Sequence, residues 1–128
     1  MLTLTDYWMG RDVTHPQDLT GEIEANAADT VDKANRLLAA FGEQRGITSG
    51  WRPPSINAGT PNAAPRSKHM LGLAIDLADP EGDLDDWCME HLEVLAGLGL
   101  SLEHPSATKG WCHVQTVPPK SGKRVFYP

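Results

Sequence analysis

Three side chains able to hold a metal ion lie in two short segments of the chain. In Ser67-Lys68-His69-Met70-Leu71-Gly72-Leu73-Ala74-Ile75-Asp76, a histidine stands just before a glycine turn and an aspartate follows that turn by four residues. Read as a strand, the end of this segment alternates faces. Leu73, Ile75 and Leu77 point to a core, while Ala74, Asp76 and Ala78 face the other way, two methyl groups flanking one carboxylate. The second segment, Trp111-Cys112-His113-Val114-Gln115-Thr116, alternates likewise. His113 and Gln115 share one face, and Cys112 and Val114 share the other. Catalytic zinc sites take three protein ligands from His, Asp, Glu or Cys and keep a further position open. His69, Asp76 and His113 meet that requirement.

At these residues the chain resembles the zinc D-Ala-D-Ala carboxypeptidase family of peptidoglycan peptidases, whose superfamily includes lysostaphin-type peptidases and the hedgehog signalling domain. The signature S-x-H-x-x-G-x-A-x-D is matched by Ser67, His69, Gly72, Ala74 and Asp76, and a later W-x-H by Trp111 and His113. Ser49-Gly50-Trp51-Arg52 is similar to the family's S-G-x-R element, so the likeness spans roughly residues 47 to 116. It implies Zn2+ as cofactor, a peptidoglycan stem peptide as partner, and hydrolysis of one peptide bond. That bond is either the one between terminal D-alanines or the one between L-Ala and D-Glu. It further implies a single-domain form like those of bacteriophage endolysins or virion proteins. Arg52 is then a binder of a substrate carboxylate, with an ordinary salt-bridge donor as the alternative. Ser67 is either a substrate contact or a turn cap.

One departure bears on the chemistry. Many relatives carry an acid three residues before the last histidine ligand, and Gly110 stands there in this chain. Gln115 also occupies a place where relatives often have Asp. The general base must come from elsewhere. The run Leu100-Ser101-Leu102-Glu103, as a strand beside the Trp111 to Thr116 strand, turns Glu103 toward His113. Glu103 is the favoured base and His104 its rival. Without such an acid, the competing reading is a zinc-stabilised module that binds the wall but does not cut it.

The elements that must position these residues are legible from periodicity. From Thr20, the residues Ile23, Ala27, Val31, Ala34, Leu37, Leu38 and Phe41 recur at three- and four-residue intervals, which predicts an amphipathic helix ended by Gly42. A second helix is predicted from Asp83, with its carboxylate as N-cap, burying Leu84, Trp87, Cys88, Leu92, Leu95 and Leu98. Strands are expected at 47–52, 73–78, 100–103, 111–116 and 124–127. The prolines at 53, 54, 61 and 65 isolate a long loop, Pro53 to Arg66, that leads into the histidine segment. Together these predict an α+β fold, a small antiparallel sheet with helices packed on one side, like the D-Ala-D-Ala peptidases and the hedgehog domain.

With 128 residues and 40% hydrophobic content the sequence fits one domain, residues 1–128, with a core of its own. A net charge of -6 speaks against a nucleic-acid surface, which needs clustered Lys and Arg. No window reaches a membrane span and no signal peptide is recognisable, so synthesis in the cytoplasm is expected, with access to the wall through a holin or a virion. Cys88 and Cys112 are expected as reduced core thiols, and the protein as a monomer.

Overall fold

The computed structural model describes residues 1–128. Its longest element is α3, Gly21–Phe41. The Thr20 side chain accepts the Ile23 N–H at the start, and Gly42 closes the end in the left-handed conformation (φ 93°). The periodic apolar residues form its buried stripe, with Ala27, Ala34, Leu37 and Leu38 wholly inaccessible. This stripe packs on one face of a five-stranded sheet ordered β1-β2-β4-β3-β5: β1 is Ile47–Ser49, β2 Ala74–Asp79, β3 Ser101–Glu103, β4 Gly110–Gln115 and β5 Val125–Phe126. Neighbouring strands run antiparallel except β5, which adds to β3 in parallel. The fold is α+β, and no helix is long and apolar enough to cross a membrane.

The predicted second helix is two. The helix α5, Asp83–Glu90, stops at His91, and α6, Leu92–Leu98, starts beyond it. The His91 ring explains the break. It stacks on Trp87 with centroids 4.1 Å apart, and its Nδ1 reaches the Trp87 carbonyl at 2.8 Å, the acceptor that a continuing helix would offer to the His91 backbone. The expected cap is also corrected. Gly82 is the N-cap of α5, and the Asp83 carboxylate pairs with Arg45 Nη2 at 2.8 Å. The carboxylate that satisfies the helix start is Asp79, at the end of β2, which accepts the N–H groups of Leu84 and Asp85 at 3.0 and 2.8 Å.

Two short helices come first in the chain, α1 (Leu4–Trp8) and α2 (Arg11–Thr14), and the expected long loop contains α4, Pro54–Ala58. Tyr7 on α1 is fully buried, and its hydroxyl donates to the Ala74 carbonyl at 2.7 Å. The backbone of Gly50 lies so close to that of Tyr7 that no side chain fits between them. The histidine turn is held in the same way. Gly72 (φ 76°) sits against α3, where an added Cβ would lie 2.9 Å from the Ile23 carbonyl oxygen, and Thr30 Oγ1 donates to the Gly72 carbonyl at 2.7 Å.

Candidate metal centre

Sheet register brings two of the predicted ligands together. Asp76 of β2 lies directly opposite His113 of β4, and Ala78 and Ala74 flank the aspartate on the same face, opposite Trp111 and Gln115. The third ligand arrives on the 3-10 turn Lys68–Leu71 that feeds β2. Ser67 caps this turn, its Oγ accepting the His69 N–H at 3.3 Å. The three ligand atoms lie within 4.8 Å of one another. His69 Nε2 is 3.2 Å and His113 Nδ1 2.7 Å from Asp76 Oδ1, and His69 and Asp76 are 1% and 7% exposed.

Each imidazole is oriented from behind. His69 Nδ1 meets the Gly50 carbonyl at 2.8 Å, so that nitrogen carries the proton and Nε2 presents its lone pair to the site. His113 Nε2 meets Gln115 Oε1 at 3.1 Å, while Gln115 Nε2 donates to the Val117 carbonyl at 2.9 Å and thereby fixes which end of the amide faces the ring. Gln115 therefore fills the supporting role that a carboxylate has in many metal sites.

The charges fit a cation. Burial alone would raise the Asp76 pKa, but the hydrogen bond with His113 and the closeness of both imidazoles outweigh it and hold the carboxyl well below its usual range. Burial lowers His69 and keeps it neutral, whereas at His113 the same burial is overcome by Asp76, and its pKa rises. His69 Nε2 is the decisive atom. It is buried and has no hydrogen-bond partner, since its approach to Asp76 lacks hydrogen-bond geometry. A buried acceptor left unsatisfied costs about 1–3 kcal/mol, and a metal ion at this point removes that cost. Two imidazoles and one carboxylate suit zinc and other divalent transition metals alike.

The site opens into a cavity of about 660 Å³. Glu103, Arg52 and Ser67 line it together with the three ligands. In β3, Ser101 and Leu102 pair with Gln115 and Val114, which carries half-buried Glu103 on toward His113. Burial raises the Glu103 pKa, opposed by the nearby His113 and supported by Asp76. The rival, His104, points elsewhere: its Nδ1 meets Ser106 Oγ at 2.8 Å and its ring stacks on Tyr127. Arg52 is 8% exposed, with Nε on Ser49 Oγ at 3.1 Å, Nη1 on Asn57 Oδ1 at 3.3 Å and Nη2 3.9 Å from Asp76. Cys112 faces the opposite side of the sheet, buried and unbridged like Cys88.

Gly50 lies in the S-G-x-R likeness, but nothing in the sequence points to its carbonyl as the support of His69, and the α1 helix behind it carries no motif. Gln115 is legible by parity, on the His113 face, and by the Asp that relatives often have in its place. Comparison with protein-family models, curated proteins and solved structures returns no match for this chain.

Proposed function

We propose that the protein is a zinc-dependent peptidase acting on peptidoglycan stem peptides. The observation that carries this reading is the buried, unpartnered His69 Nε2 aimed at Asp76 and His113 on the floor of a cavity that also holds a half-buried carboxylate and a buried guanidinium. The wall as substrate comes from the S-x-H-x-x-G-x-A-x-D and W-x-H likeness. Zinc bound there supplies a Lewis acid for the scissile carbonyl and lowers the pKa of water. Glu103, its proton affinity raised by burial, takes a proton from water and delivers it to the departing amine. Arg52 presents Nη2 toward the cavity as a donor for a substrate carboxylate, and Ser49 and Asn57 hold the fork in place. His69, Asp76 and His113 stay fixed by Gly50, their strand register and Gln115, so the site is assembled before substrate enters.

The test is digestion of purified peptidoglycan fragments with the zinc-loaded protein, read by mass spectrometry for new amine termini. Cleavage is expected at one stem-peptide bond, and Glu103→Gln should keep metal and fold while lowering turnover about 10²- to 10⁴-fold. Stoichiometric zinc with intact fragments would instead make the protein a zinc-stabilised, non-cutting wall-binding module.

A further inference from the structure

The chain positions its arginines in two different ways. Arg45 is ringed by carboxylates: Asp83 at 2.8 Å, Asp79 at 3.0 Å and Glu43 at 3.3 Å. Both of its Nη nitrogens are engaged by carboxylates, and they tie β2 to α5. Arg11 and Arg52 are the opposite case. Both line the metal cavity, and Arg11 Nη1 donates to the carbonyl of Trp51, the residue just before Arg52, at 2.8 Å. Arg11 is thus moored to the peptide that joins Trp51 to Arg52, while the Arg52 guanidinium is held by Ser49 and Asn57. Neither arginine has a carboxylate of its own. The nearest to Arg52 is Asp76 at 3.9 Å, already shared with two histidines, and Arg11 forms no ion pair within 4.0 Å.

Nη2 and Nε of Arg11 make no hydrogen bond, and Nη2 of Arg52 makes only that long approach to Asp76. Both cations line one cavity, and burial, then the charge of Arg52, lower the pKa of Arg11. Such a pair is unfavourable alone and favourable around an anion, which two forks can grip through several charge-assisted hydrogen bonds. Asp76 and Glu103 share the cavity, so a singly charged anion suits it better than a doubly charged phosphate.

We propose that Arg11 and Arg52 together form a two-guanidinium subsite that grips one carboxylate of the ligand, making Arg11 a binding residue of the cavity. The proposal rests on the peptidase reading only in placing that carboxylate on a peptide.

Zinc-supplemented protein titrated with N-acetyl-D-alanine and N-acetyl-L-alanine, and with the C-terminal amide of each, provides the test by NMR. The preferred acid should bind wild type at least about 10-fold tighter than its amide. Arg11→Gln should lose about 10-fold for the acid and leave the amide unchanged. A purely structural Arg11, serving only to hold Trp51, would weaken acid and amide alike, and that result overturns the proposal. So does an equal loss in Arg66→Gln, which changes another cation lining the cavity, or the absence of acid binding in wild type. Inorganic phosphate displacing the acid at lower concentration than acetate does would overturn the choice of a carboxylate. Arg11-dependent acid binding without fragment cleavage would sink the peptidase and keep the subsite, whereas cleavage with Arg11-independent binding would do the reverse.

Discussion

Asp76 and His113 form one rung of the β2–β4 ladder and Leu77 and Cys112 the next, yet the two rungs face opposite sides of the sheet. Each side holds a buried aspartate, and the two aspartates behave oppositely. On the cavity side, imidazoles surround Asp76 and pull its pKa down against burial. Behind the sheet, Asp85 is 3% exposed, accepts a hydrogen bond from Thr108 Oγ1 at 2.9 Å and leaves Oδ1 unpartnered. The nearby Asp79 and Asp86 add to the effect of burial, and its pKa is pushed up to about 6. Burial is common to both, so the charge of the neighbours decides whether a carboxylate is kept ready for a metal or made reluctant to ionise.

The contrast breaks most sharply at neighbouring positions on the ladder. His113→Ala should abolish stoichiometric metal binding while the fold survives, because the core lies on the other face. Leu77→Ala should cost about 2–5 kcal/mol in denaturant unfolding, since its side chain is wholly buried, and should leave metal stoichiometry intact in the folded fraction. Retained metal in the first variant, or selective metal loss in the second, would erase the division between the faces.

A subtler change sharpens the cavity side. Gln115→Ala removes the partner of His113 Nε2 without touching a ligand, and metal affinity measured by chelator competition should fall about 10- to 100-fold. A further test belongs to the rear. The Asp85 pKa in the folded chain, about 6, lies above its ordinary value of 3.8, so the native state binds more protons than the unfolded one between those values. Its contribution to stability is therefore present at low pH and is lost as pH rises from about 4 to 6. Asp85→Asn should remove that decline, so the melting temperature of the variant relative to wild type should climb across this window. A constant difference would mean that Asp85 titrates normally.

Much of this arrangement is legible in the sequence because period-two and period-3.6 patterns report which face a residue occupies. They place Ile75 and Leu77 behind Asp76, and α3 down to its Thr20 cap and Gly42 end. Glu103 follows from the same parity once β3 lies beside β4. What stays hidden is decided by tertiary contact. Asp79 caps a helix from a strand, His91 breaks a helix through its own ring, and Tyr7 reaches Ala74 across 67 residues of sequence. Arg11 shows no local pattern at all, because its meaning comes from the Trp51 carbonyl it touches.

The amide behind His113 also sets the electrical character of the centre. A carboxylate in its place would make the imidazole a stronger electron donor and add a second negative charge close to the ligands. With Gln115 there, Asp76 is the sole anion among the ligands and their supports, so a divalent ion and its cage together carry one net positive charge. The cavity floor then attracts anions, held in check by the single carboxylate of Glu103, in a molecule whose overall charge of -6 repels them.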